Sequence, residues 1–191
     1  LEQIVHCLHL MRAGRQQDFL FAVPAFLTKS PRLDLKRMAV AQDLEELIQA
    51  MGRTPYAAIL QRFMPCPVQK LPMTAVENAL ISYQYDTLFE EIDGLSHGQR
   101  QEMHHLFGVQ ADAINVSRIR RMKKYFHMTP DQIRPNLLSA SGNISPALLE
   151  RLVTAETDEQ VMELYFSTAG KWVDEAQRTH LDDLPMRLPY F

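Results

Sequence analysis

Apolar residues recur three and four positions apart along almost the whole chain, and no segment alternates with period two for long enough to make a strand. The pattern predicts an all-α protein. Leu1, Val5, Leu8 and Met11, with Ile4 beside them, form a first helical stripe that Gly14 is placed to terminate. Asp18 to Phe26 reads as a short helix ending near Val23, because Pro24 disfavours helical backbone at the residue before it. Leu35 to Val40, Leu44 to Met51 and Tyr56 to Met64 follow as helices of two to three turns. Pro65, Pro67 and Pro72 then make the best internal boundary. Beyond it Ile81, Tyr85, Leu88 and Ile92 hold one stripe and Val76, Leu80 and Tyr83 a second, so a long helix buried between layers is expected. A further helical stretch runs from near Gln99 to Phe126, with Gly108 the one place for a bend.

Helix starts are written into the chain. A Ser or Thr directly before Pro offers a capping hydroxyl and a preset φ for the first turn. Ser30-Pro31, Thr54-Pro55, Thr129-Pro130 and Ser145-Pro146 are such pairs. Thr74 with Glu77, Thr129 with Gln132 and Thr157 with Gln160 have the spacing of capping boxes.

The stretch from Asp112 to Phe126 organises the rest. Ile119, Met122 and Phe126 share one apolar face, and Arg118, Arg120, Arg121, Lys123 and Lys124 crowd the remainder of the helix. The same stretch opens a segment that repeats the first sixty or so residues at a shift of 114. Val5 falls on Ile119, Leu8 on Met122, Met38 on Leu152, Leu47 on Val161, Glu45 on Glu159 and Thr54 on Thr168. The expected organisation is a first repeat over 1–66, connecting helices over 67–111, a second repeat over 112–172 and a tail over 173–191. Two stacked multi-helix units would close a shared core and make a shaped scaffold.

Composition changes this picture little. The 191 residues are 46% hydrophobic and 23% charged, as in an ordinary globular protein. A net charge of −3 gives no overall attraction to polyanions, so the cations between Arg118 and Lys124 must act locally if at all. They are candidates for contact with an acidic protein; a solvated face and a nucleic-acid site are the alternatives. Cys7 and Cys66 match no zinc or redox spacing, which suits a reduced, cytoplasmic setting. No signal peptide and no apolar run long enough to span a bilayer is expected.

Chemistry is harder to find. His6, Cys7 and His9, and His97, His104 and His105, have no zinc spacing. Glu102 and His105 form one Glu-x-x-His half-motif of the di-iron bundles, whose second copy is missing, so a metal-dependent helical-bundle enzyme is the alternative reading. Asp112, Asp131, Asp182 and Asp183 have no acid or base partner in the pattern, and there is no P-loop, dinucleotide turn or nucleophile elbow. No catalytic residue, metal ligand or cofactor is expected. A generic helical-repeat scaffold is a third reading.

Asp112, Asn115, Arg120 or Arg121, and Lys123, then the Gly142 turn, the Leu148–Leu152 helix and the end at Thr168, resemble the C subunit family of bacterial and archaeal V-type ATPases, whose eukaryotic counterpart is the d subunit. Glu77 to Leu80, with Tyr83, Leu88 and Phe89, is similar to that family's long connecting helix. The resemblance covers Leu1 to about Thr168. It implies a funnel of three pseudo-symmetric helical units, of which this chain holds a truncated or reduced set. It implies a noncatalytic component of the central stalk, cytoplasmic and peripheral to the membrane, whose partners are the shaft subunits and the membrane rotor ring of a proton- or sodium-translocating complex. Tyr56, which closes the first repeat, has Gly170 at its equivalent.

Overall fold

The computed structural model describes residues 1–23, 33–139 and 144–169, and every regular element among them is helical. Leu1–Ile81 and Ser82–Phe191 form two compact units, the division falling inside one long helix.

In the first unit, α1 (Glu2–Arg12) buries Ile4, Cys7, Leu8 and Met11. The buried stripe therefore runs through Ile4, and Val5 is half-buried beside it. Gly14 ends α1 as expected. At φ +67 it occupies the left-handed region, and the Gly14 and Arg15 amides donate back to Met11 O and Leu10 O, satisfying two carbonyls of the last turn. A 3-10 turn (Gln16–Asp18) leads into the single-turn α2 (Phe19–Ala22), which buries Phe19. Then α3 (Leu35–Val40) and α4 (Leu44–Met51) keep the bounds that the apolar pattern predicts. Asp34 and Asp43 cap them by accepting from Arg37 N and Glu46 N at 3.0 and 2.8 Å, stabilisation worth roughly 1 kcal/mol each. Thr54 and Pro55 open α5 (Pro55–Gln61), although the Thr54 hydroxyl makes no capping bond.

A second expected cap is also not used. Helix α6 (Met73–Asp93) begins before Thr74, with Pro72 O accepting from Ala75 N and Val76 N. Glu77 instead reaches out of its helix to His9 Nε2 on α1, at 2.8 Å. A tertiary partner has displaced the local one.

The second unit is built on α7 (His97–Phe126), a single 30-residue helix with Gly108 buried inside it. It starts at His97, two residues earlier than the pattern suggests, and closes at His127 in the left-handed conformation (φ 49). Against its C-terminal half pack α8 (Pro130–Ile133), α9 (Pro146–Thr154) and α10 (Asp158–Ala169), burying Val116, Ile119 and Met122 with Ile133, Leu152 and Val161. Thr129–Pro130 and Ser145–Pro146 start α8 and α9 as predicted: Gln132 Oε1 accepts from Thr129 N at 2.9 Å, and Ser145 Oγ accepts from Leu148 N at 3.2 Å. Ser30–Pro31, the Gly142 turn and the tail from residue 170 lie outside the described residues.

Helix ends in the two units correspond at the shift of 114. Helices α1 and α7 end at Arg12 and Phe126, α3 and α9 at Val40 and Thr154, and α4 and α10 begin at Leu44 and Asp158. The short links match in detail. Ala41 and Ala155 both break into extended backbone (ψ 129° and 143°). Glu46 Oε2 accepts from Gln42 N at 2.8 Å, and at the equivalent places Gln160 Oε1 accepts from Glu156 N at 2.9 Å.

Candidate interaction surface

Five cations that are neighbours in sequence have three different fates on α7. Arg118 is 5% exposed and points inward. It continues a polar row that begins with Asp112 and Asn115, spaced three apart on one side of the helix. That row holds backbone of the α8–α9 connection, which begins with a 3-10 turn at Arg134–Asn136. Asp112 Oδ2 accepts from Ile144 N at 3.1 Å. Asn115 answers both polar groups of Leu138, accepting from its N–H at 2.7 Å and donating to its carbonyl at 3.3 Å. Arg118 Nη1 donates to Asn136 O at 2.9 Å. Buried amides and carbonyls outside regular structure need such partners, since an unsatisfied group costs about 1–3 kcal/mol. The row also sets its surroundings. Burial, then the Asp112 carboxylate, pushes the Tyr165 phenol up to about 12. Burial raises Tyr85 too, opposed by the Arg118 charge.

Arg120 and Lys123 hold α7 to the start of α10. Arg120 Nη2 lies 3.6 Å from Asp158 Oδ2, and both side chains are largely buried. Lys123 Nζ donates to Ala155 O, and burial lowers its pKa. Lys124 shares Asp158, also at 3.6 Å, but is half in solvent, its ammonium 5.8 Å from the Tyr125 ring centroid. Arg121 is exposed and makes no ion pair among the described residues. Tyr125 and Phe126 beside it are 64% and 65% exposed, so Phe126 does not join the core stripe of Ile119 and Met122. The surface available for contact thus reduces to Arg121, Lys124 and the two aromatics.

Asp158 is the participant that sequence reasoning missed. It stands 38 and 34 residues from Arg120 and Lys124, and no local spacing ties it to them. Only its place in the first turn of α10 hints at a role.

The candidate metal residues are dispersed. Glu102 and His105 are both exposed on the early turns of α7. His104 pairs with Asp93 at 2.8 Å and packs on the Phe89 ring at 5.1 Å. Cys7 is buried, its thiol 3.6 Å from Met38 O and pushed by burial to about 12, while His9 bonds Glu77 and His6 stacks near Phe19. Among the described residues no three His, Cys, Asp or Glu side chains gather to hold a metal. Asp131 pairs with Arg134; Asp182 and Asp183 lie outside the described residues.

The family model described as "ATP synthase (C/AC39) subunit" matches residues 1–188. The chain belongs to that family. Within this ATP synthase C/AC39 family, it is 29% identical over 123 residues to the A-type ATP synthase C subunit of Methanosphaera stadtmanae, covering 64% of this chain and 32% of the relative. It is 26% identical over 130 residues to the A-type ATP synthase C subunit of Methanosarcina mazei, covering 68% and 34%. The chain thus spans about a third of the length of the curated relatives it matches. No solved structure matches it significantly. The described residues contain no helix long and apolar enough to cross a membrane.

Proposed function

We propose that this chain acts as a noncatalytic central-stalk component of an A/V-type ATP synthase, an adaptor coupling the rotor shaft to the membrane rotor ring. Family membership over residues 1–188 is the observation that carries the reading. A scaffold role suits a chain in which charged groups are spent on holding helices and connections in place, as Asp112, Arg118, Arg120 and Asp158 are.

On this reading the chain supplies two copies of one helical unit, over 1–66 and 112–172, joined by α6 and the first half of α7. The coincident helix ends, the paired alanines and the equivalent Gln42–Glu46 and Glu156–Gln160 bonds support that division. The partner contact lies at Arg121 and Lys124; Arg118, Arg120 and Lys123 are engaged inside the unit.

Affinity purification of the tagged chain from its native host tests the proposal. Head, shaft or ring proteins of the ATP synthase should copurify, identified by mass spectrometry. Their absence from a folded preparation would overturn it.

A further inference from the structure

At the shift of 114 the outer surfaces of the two units compare side chain by side chain. Phe19 and Ile133 are equivalent and fully buried, as are Met38 and Leu152, so the register holds through both α2 and α3. Leu20, Phe21, Lys36, Arg37 and Val40 are exposed in the first unit, and so are their equivalents Arg134, Pro135, Glu150, Arg151 and Thr154 in the second. The chemistry of the two faces differs. In the second unit the chain closes the face itself: Arg134 donates to both carboxylate oxygens of Glu150, at 3.2 and 2.5 Å, and also pairs with Asp131. In the first unit, where α2 packs against α3, Leu20 stands at the place of Arg134 and Lys36 at the place of Glu150. The carboxylate is gone and a cation has its position. Lys36 and Arg37 make no ion pair among the described residues. Beside them Leu20, Val40 and Phe21 are 40%, 66% and 90% exposed. The fold does not require this apolar surface, since Arg134, Thr154 and Pro135 fill the same positions around an equivalent core.

We propose that the α2–α3 face of the first unit binds a segment of a partner protein that presents a carboxylate flanked by apolar side chains, the carboxylate to Lys36 and the apolar groups over Leu20, Phe21 and Val40. The contact remakes from outside the cation–carboxylate pair that the second unit makes within itself. Exposed apolar side chains rimmed by charge mark interaction sites, and an aromatic beside a cation is a common anchor in them. The surrounding charge selects the occupant. Asp34, Asp43, Glu45 and Glu46 are exposed on the same stretch of chain and outnumber Lys36 and Arg37 four to two. An extended anionic surface, whether a bilayer or a nucleic acid, meets those acids and is repelled, whereas a single carboxylate is directed to Lys36. The local acids are not its counterions because they are occupied at helix starts: Asp34 accepts from Arg37 N, Asp43 from Glu46 N and Glu46 from Gln42 N. A second copy of this chain, docked by the same face, would set Lys36 and Arg37 against themselves.

This contact is additional to the one at Arg121 and Lys124 and does not depend on which complex the partner belongs to. The test replaces Phe21 in the full chain with the photo-crosslinker p-benzoylphenylalanine and irradiates the labelled protein in an extract of its native host. Mass spectrometry should find a crosslink to a segment of another protein that carries Asp or Glu beside apolar residues, and the same label at Pro135 in the second unit should give none. The double change Leu20→Arg, Lys36→Glu, which copies the pair already tolerated in the second unit, should leave melting unchanged and lower the crosslinked yield about tenfold. With the captured segment made as a peptide, Lys36→Glu alone should weaken binding, and exchanging the peptide's carboxylate for lysine should restore it. Absence of a crosslink, crosslinks to lipid, nucleic acid or a second copy of this chain, equal capture at Pro135, an unchanged yield for the double variant, or no rescue by the charge-exchanged peptide would overturn the proposal. Copurification tests the stalk assignment separately, so either result can fail alone: a captured segment from outside the synthase supports the contact without supporting that assignment.

Discussion

Arg118 and Arg121 stand three residues apart on one helix and have different work. Arg118 is itself buried and donates to the partly buried Asn136 carbonyl, so Arg118→Ala should destabilise the protein by about 1–3 kcal/mol, whereas Arg121→Ala at an exposed position should change stability by less than about 0.5 kcal/mol. Urea unfolding of the two variants checks the contrast; equal effects would show that burial does not divide them. Asn115 is the stricter case because it answers both groups of one peptide. Asn115→Ala strands a buried N–H and a buried carbonyl, for an expected loss of about 2–4 kcal/mol in the same measurement. Cys7 shows what burial does to reactivity. Its thiol stays protonated near neutral pH, so native protein treated with iodoacetamide at pH 8 should be modified at the partly exposed Cys66 and spared at Cys7, with both modified after unfolding. Mass spectrometry reads the result directly.

At the level of elements, the second unit depends on α9 and α10 being held against α7. Leu152 is fully buried at that junction, and Leu152→Ala should cost about 2–5 kcal/mol. The equivalent first-unit position, Met38, is equally buried, so Met38→Ala should fall in the same range; denaturant midpoints for the pair test the correspondence of the units. The caps divide by mechanism. Asp43 and Thr157 occupy equivalent places and each accepts from a backbone N–H three residues on, at 2.8 and 3.2 Å, so each alanine variant should lose about 0.5–2 kcal/mol. Thr74, with its capping-box spacing, lies inside α6, and Thr74→Ala should cost far less.

For the whole molecule, alkaline pH is the informative variable. Cys7 and Tyr165 have ordinary values of 9.0 and 10.0, and both are raised by burial to about 12. Their neutral forms are favoured in the fold. The unfolded chain therefore loses these protons first as pH rises, and the stability they contribute is complete below about pH 9 and lost progressively toward pH 12. Melting temperature followed from pH 8 to 11 should fall, and Cys7→Ala should make the upper part of that fall shallower. A flat profile would remove the assignment.

Helix class, most helix starts and the boundaries of α3 and α4 were legible in the sequence because they depend on local rules: apolar period, capping oxygens, proline φ and a glycine at positive φ. The same local rules underlie the helix ends that coincide at a shift of 114, Arg12 with Phe126, Val40 with Thr154 and Leu44 with Asp158. What the sequence could not decide was where each polar side chain goes. The basic run from Arg118 to Lys124 read as one cluster, and successive residues on a helix turn by 100°, so tertiary packing sent Arg118 inward to Asn136, Arg120 and Lys123 sideways to α10 and its preceding link, and left Arg121 in solvent. Glu77 left its predicted cap for His9, and Asp158 found its cations from more than thirty residues away. Backbone periodicity is a local property of the chain, whereas the partner of a charge is fixed only when distant segments are brought within hydrogen-bonding reach.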